Sequence, residues 1–94
     1  MIGGFKCKKS RVLFELHIAD KKFYKISRQA LAKLMIIHSA DRLEDLKISP
    51  ANRLEKLRGN RDGQYSMRIN DKWRICFTWN LGHAYEIEIV DYYK

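Results

Sequence analysis

Apolar and polar residues alternate in three runs toward the C-terminal end of the chain. Tyr65, Met67 and Ile69 share one parity, as do Trp73, Ile75, Phe77 and Trp79, and then Tyr85, Ile87 and Ile89. A period of two marks a half-buried strand. Successive strand side chains point to opposite faces, so Ser66, Arg68, Arg74, Cys76, Thr78, Glu86 and Glu88 fall on the other side. The pattern predicts a sheet with an apolar back and a charged front. Asn70-Asp71-Lys72 and Asn80-Leu81-Gly82-His83 separate the runs, and both contain residues that tolerate positive φ, as short hairpins need. The three runs therefore read as an antiparallel meander. Gly59 and Gly63 bracket a polar loop upstream, and residues 53–58 read as a fourth strand in which Leu54 and Leu57 break the alternation.

The first half has the period of helices. Val12, Leu13 and Leu16 form the apolar face of a helix over residues 8–16, with Lys8, Lys9, Arg11 and Glu15 away from it. Residues 2–5 read as a short strand, and residues 17–25 as a basic connector. Ser27 is placed as an N-cap. Leu31, Leu34, Met35 and His38 follow at i, i+3, i+4, i+7, with Ala30 and Ile37 bordering the stripe. This second helix is expected on the apolar back of the sheet, leaving Arg28 and Lys33 outward and His38 packed. Ser39 or Asp41 is expected to cap a helical turn carrying Leu43 and Leu46, and Pro50 ends it. Helices followed by a meander give an α+β domain: two N-terminal helices packed on a curved, mainly antiparallel β-sheet.

Length makes this one domain, residues 1–94. Cys7 and Cys76 are far apart, and with no apolar leader segment they are expected as free thiols. No run reaches the ~20 apolar residues of a membrane span. A cytoplasmic protein is expected. His17, His38 and His83 are isolated, and no Cys or His pair has metal-site spacing, so no metal is assigned. The formal net charge of +8 points to a polyanionic partner. That charge is uneven: residues 53–74 carry seven basic and three acidic side chains, and residues 75–93 carry no Lys or Arg.

Phosphate loops, zinc-protease helices, nucleophile elbows and Cys-x-x-Cys pairs are absent from the sequence. Arg58, Arg61, Arg68 and Arg74 offer forked donors that match phosphate oxygens. Arg68 and Arg74 fall on adjacent strands and one face, where they either converge on a ligand or pair with Glu86 and Glu88 across the sheet. Glu55 is a candidate proton acceptor. Asp91, Tyr92 and Tyr93 end the last strand, and phenols stack on bases or donate protons. This set suits cleavage of RNA by its own 2′-hydroxyl, which rests on positioning and electrostatics.

The run Leu57-x-Gly59-x-Arg61-x-Gly63-x-Tyr65-Ser66, followed by Asn70-x-x-Trp73-Arg74-x-x-Phe77 and the ending Val90-Asp91-Tyr92-Tyr93, resembles the HigB toxins of the RelE/ParE superfamily. The likeness extends to the opening Phe5-Lys6-Cys7-Lys8. It implies a RelE-like fold and a ribosome-dependent mRNA interferase that acts in the ribosomal A site without a metal or other cofactor. It implies as partners a HigA-like helix-turn-helix antitoxin, the 70S ribosome and mRNA, and operator DNA through the antitoxin. Carried over by residue, Glu55, Arg58, Arg74, Asp91 and Tyr92 are the expected catalytic set. Lys56, Arg61, Arg68, Lys72 and Tyr93 are expected on RNA, and Lys21, Lys22 and Lys25 on the ribosome. Relatives commonly carry His where this chain has Glu55 and Tyr93, and Lys where it has Arg58. A carboxylate is the weaker base near neutral pH, so positioning by the arginines is expected to dominate. Two other readings fit the same residues: a ParE-like toxin that inhibits gyrase without cutting RNA, and an RNA-binding relic without activity.

Overall fold

The computed structural model describes residues 1–91. Its frame is a sheet in the order β1-β2-β3-β4, with every neighbouring pair antiparallel: Glu55–Lys56, Tyr65–Arg68, Trp73–Asn80 and His83–Asp91. Two α-helices, α1 (Lys8–Leu16) and α2 (Ser27–Ser39), precede it. The predicted α+β layering and meander are present. The fourth strand is shorter than residues 53–58, because Arg53 takes a left-handed conformation and Arg58 leads into a 3₁₀ turn, Gly59–Arg61.

Both hairpins follow from their turn residues. Asn70 Oδ1 accepts from the backbone N–H groups of Lys72 and Trp73, so the Asn side chain itself closes the β2–β3 turn. Leu81 and Gly82 have φ of 50° and 84°, the paired positive values of a two-residue I′ hairpin.

The last strand departs from simple alternation. Cys76 pairs with Glu88 and Thr78 with Tyr85, so β4 holds an extra residue opposite β3. Glu86, at φ 52°, forms this bulge. One inserted residue inverts parity beyond it. Ala84, Ile87 and Ile89 therefore face the core, and Tyr85, expected there, turns out with 37% of its surface exposed. Its ring lies over Gly3, where a Cβ would overlap it. Residues 2–5 make two isolated parallel bridges to β4, Ile2 to Ala84 and Phe5 to Ile87, rather than a strand.

The helices bury faces rotated from those the apolar stripes predict. In α1, Ser10 and Leu13 are buried, while Leu16 is exposed and Val12 half-buried. Ser10 is drawn in because its Oγ accepts from the Ile89 N–H at 3.1 Å, tying α1 to β4. In α2, Ala30, Leu34 and Ile37 are buried and Met35 is exposed. His38 is packed as expected: its Nδ1 accepts from Ile2 N–H at 3.1 Å, and its ring meets Phe14. Lys33, expected outward, donates to Asn52 Oδ1 at 2.7 Å.

Residues 17–25 are more than a connector. A 3₁₀ turn, Lys21–Ile26, buries Phe23 and Ile26 and runs into α2, so Ser27 is a helical residue whose side chain makes no cap bond. Asp20 caps this turn instead, accepting from Lys22 N–H. In the following turn, Leu43–Lys47, the capping carboxylate is Asp45, which accepts from the N–H groups of Asp41 and Arg42.

Ser10→Ala should lower stability by about 1–3 kcal/mol, because it strands a buried backbone donor. Urea denaturation reads this directly; an unchanged midpoint would show that the Ser10–Ile89 tie carries no weight.

Candidate active site

The front of the sheet is built in rows. Glu55, Ser66, Cys76 and Glu88 stand side by side across all four strands, and Arg68, Arg74 and Val90 form the next row. The centre of this front is closed: Ser66 and Cys76 are buried, and Arg74 is 8% exposed.

A guanidinium at that depth needs partners. Arg74 Nη1 donates to Ser66 Oγ at 3.2 Å and meets Glu55 Oε1 at 3.3 Å. Glu55 itself is about half exposed, on the two-residue edge strand. The pair thus joins a fixed, buried cation to an accessible carboxylate. Arg68 lies directly opposite Arg74, an unfavourable like-charge pairing. It turns to Asp71 in the adjoining turn, and that contact holds the Asp71 carboxyl below its ordinary range. The two arginines therefore share a face, as expected, but pair with Asp71 and Glu55 rather than with Glu86 and Glu88.

Glu88 is engaged from another direction. Arg61 reaches from the β1–β2 loop across the front to Glu88 Oε1 at 2.8 Å, and also donates to Gln64 Oε1 at 3.0 Å. The Glu88 hydrogen bond raises the Arg61 pKa. Lys6 Nζ adds a 3.7 Å contact to the same carboxylate. Arg61 is thereby a strut that holds the glycine-bracketed loop over the sheet. The loop's own shape depends on Gly59 and Gly63, both at positive φ.

The other expected residues lie around this centre. Arg58 is exposed at the start of the 3₁₀ turn. Lys56 is in register with Tyr65 and Phe77, hence of opposite parity to Glu55. Asp91 is in register with Trp73, also opposite in parity to Arg74, and lies 3.5 Å from Lys72 Nζ. Lys72 also sits over the Trp73 ring at 5.8 Å. Lys21, Lys22 and Lys25 are exposed on the 3₁₀ turn before α2. Tyr92 and Tyr93 lie outside the described residues. The structure brings together Glu55 and Arg74, and sets Lys56 and Asp91 on the other parity. Sequence reading missed Ser66 as the Arg74 partner and Lys6 as a Glu88 partner. Ser66 was legible as a front residue, but its register with Glu55 was not.

Among the described residues, no three His, Cys, Asp or Glu side chains gather as a metal site would require, and no helix is long and apolar enough to cross a membrane.

This layering matches the fold of a solved structure. The chain superimposes on the YoeB–YefM complex from Staphylococcus aureus with a TM-score of 0.58 at 21% identity, covering 94% of this chain and 95% of that one. The fold class is that of the RelE-like toxins. A family model described as the RelE-like toxin of the type II toxin–antitoxin system HigB matches residues 5–93, and the chain belongs to that family. It is 41% identical over 59 residues to Toxin HigB-1 of Vibrio cholerae serotype O1, a match spanning 63% of this chain and 62% of that toxin. It is 29% identical over 93 residues to Endoribonuclease HigB of Proteus vulgaris, covering 99% of this chain and all of that protein.

Burial pushes the Cys76 thiol above its ordinary pKa, outweighing the lowering by Arg61. Thiolate is the reactive form, so Cys76 should resist alkylation at pH ~8 while the half-buried Cys7 reacts. Peptide mass spectrometry after iodoacetamide checks the order; equal labelling would refute a closed front.

Proposed function

We propose that the chain is a cytoplasmic endoribonuclease toxin of a type II toxin–antitoxin system. It cuts mRNA in the ribosomal A site, without a metal, and so stops translation and growth. The observation that carries this reading is the buried Arg74 guanidinium held against the half-exposed Glu55 on a basic front. The name of the Proteus vulgaris relative, an endoribonuclease, supports it.

The reaction is an in-line displacement. The substrate's 2′-oxygen attacks the adjacent phosphorus, the bond to the 5′-oxygen breaks, and a cyclic phosphate forms. The 2′-hydroxyl proton passes to a base, and the leaving 5′-oxygen takes one from an acid or from water. Arg74 stabilises the charge that gathers on the phosphate. Its side chain is already ordered by Ser66 and Glu55, so little freedom is lost when substrate arrives. Glu55 accepts the 2′-proton or orients Arg74. Arg58, Asp91 and Tyr92 complete the proposed catalytic set; Arg58 is exposed at the start of the 3₁₀ turn, and Asp91 ends β4. Lys56, Arg61, Arg68, Lys72 and Tyr93 act on the RNA backbone and bases, and Lys21, Lys22 and Lys25 on the ribosome. The partner in the cell is a HigA-like helix-turn-helix antitoxin, through which the pair meets operator DNA. The YoeB structure is of a complex with a second protein, YefM, which supports a protein partner here.

Purified protein should cut mRNA on programmed ribosomes and cut the same RNA poorly when free, because the ribosome orders the substrate. Arg74→Ala should lower single-turnover cleavage by ~10²–10³ while still binding ribosomes. Full cleavage by that variant would remove Arg74 from the chemistry, and growth arrest with gyrase inhibition but no new mRNA ends would favour the ParE-like mode.

Glu55→Gln separates the two roles of the carboxylate. A base is lost in the amide and cleavage should nearly vanish; an orienting group keeps its shape and the loss should be small. Glu55→His should retain or raise activity, with a rate that climbs from pH ~6 to ~7.5 as the imidazole loses its proton. A dead Glu55→His with intact ribosome binding would exclude a base at this position.

A further inference from the structure

The 3₁₀ turn before α2 carries two adjacent aromatic residues with opposite fates. Phe23 is 2% exposed and packs edge to face on Trp73, with ring centroids 6.4 Å apart. Tyr24 is 69% exposed. The backbone at Phe23 leaves the helical region, at φ −132° and ψ 29°, and this kink separates the two rings. Phe23 fixes the turn against β3 and Tyr24 stands in solvent on that rigid base.

The surroundings of Tyr24 are cationic. Lys21, Lys22, Lys25 and Arg28 are all exposed, and residues 21–40 contain no Asp or Glu. The nearest carboxylate in sequence, Asp20, caps Lys22 N–H at 2.8 Å and lies 3.5 Å from Lys9 Nζ. Beside the ring is an open concavity of about 660 Å³ lined by Tyr24, Lys25, Ser27, Arg28 and Gln29. The Phe23–Trp73 contact also connects this surface to Lys72, whose Nζ lies 5.8 Å from the Trp73 ring centroid.

An exposed phenol on a turn anchored by Phe23, beside an open concavity that Lys25 and Arg28 also line, has the chemistry of a base-stacking platform. Bases stack on aromatic faces while lysine and arginine hold the flanking phosphates. We infer that Tyr24, with Lys25 and Arg28, forms a second RNA-binding site that captures an unpaired nucleotide away from the cleavage centre. The inference rests on the reading of the chain as an RNA-directed toxin, and deepens it. The lysines give sequence-independent attraction, and Tyr24 adds a requirement for an unstacked base. RNA held there is positioned relative to β3 through the Phe23–Trp73 contact.

The test uses the full chain as wild type, Tyr24→Ala, Tyr24→Phe and the double variant Lys25→Ala/Arg28→Ala. Two probes distinguish the source of the nucleotide: vacant 70S ribosomes, which offer ribosomal RNA alone, and a fluorescent unstructured oligoribonucleotide, which stands for message. Tyr24→Ala should weaken binding to at least one probe by about 5–100-fold, and Tyr24→Phe should restore it, since stacking needs the ring and not the hydroxyl. The double variant should flatten the dependence of log Kd on log salt by roughly 1–2. Loss on ribosomes alone assigns ribosomal RNA, and loss on the oligomer as well assigns single strands generally. Wild-type affinity in Tyr24→Ala on both probes, failure of Phe to restore it, or no binding of wild type to either RNA overturns the site. Melting temperatures check that the exposed substitutions leave the fold intact. Tyr24-dependent binding without mRNA cleavage would overturn the nuclease reading and leave this surface standing; cleavage with Tyr24-independent binding would do the reverse.

Discussion

A buried arginine sets the terms for the rest of this structure. The guanidinium of Arg74 cannot lose its proton, so burial must be met with acceptors. Ser66 supplies one from the neighbouring strand, and Glu55 another from the edge strand. That requirement gives the two-residue β1 its purpose: its register with β2 brings Glu55 beside Ser66 and within reach of Arg74. The register in turn depends on the loop between β1 and β2, which Arg61 fastens to Glu88 on the far strand. Four strands are thus connected on the front by side chains as well as by the ladder. Removing Glu55 takes an acceptor from a buried guanidinium, whereas removing Arg74 leaves a half-exposed carboxylate that water can solvate.

Parity decides which residues join this network, and parity was only partly legible in the sequence. Period-two alternation located β2, β3 and β4, and the Asn and Gly turn residues located the hairpins. The bulge at Glu86 was not legible, because no glycine or proline marks it and a glutamate adopts the left-handed conformation instead. Its effect was to exchange Tyr85 for Ala84 in the core while leaving Ile87, Ile89 and Glu88 on their expected faces. The helical stripes misled for a different reason. Val12, Leu16 and Met35 are apolar and correctly spaced, yet a serine hydroxyl with a partner on β4 and the small Ala30 against the sheet outcompete them. Hydrophobic periodicity counts side chains and cannot see a specific hydrogen bond or a close approach.

The candidate site was legible as a list and not as a geometry. Arg68 and Arg74 were identifiable by type and parity and Arg61 by type alone, and the family resemblance selected Glu55 and Arg74. What the sequence could not supply was the pairing. Like charges opposite one another, Arg68 and Arg74, were resolved by carboxylates that lie near in sequence to one and far from the other: Asp71 three residues on, and Glu55 across an intervening strand. Local pairs follow from spacing; the distant pair follows only from register.

The same pairing pattern separates two kinds of positive charge. On the sheet front, Arg61, Arg68 and Arg74 each meet a carboxylate, so the cations there are ordered and largely neutralised before any ligand arrives. A phosphate entering that site competes with Glu55, Asp71 or Glu88, which favours a ligand whose charge grows during reaction over one that is merely anionic. On the 3₁₀ turn before α2 the balance is reversed, since residues 21–40 hold Lys and Arg with no acid among them. Exposed lysines with no acid among them give long-range attraction and fast encounter with a polyanion, though little geometric discrimination. The division of charge is the one the proposed roles require, with capture at the turn and ordered stabilisation at the sheet. Neither surface would serve the other's purpose, because ordering a cation for catalysis requires the carboxylate that weakens it as bait.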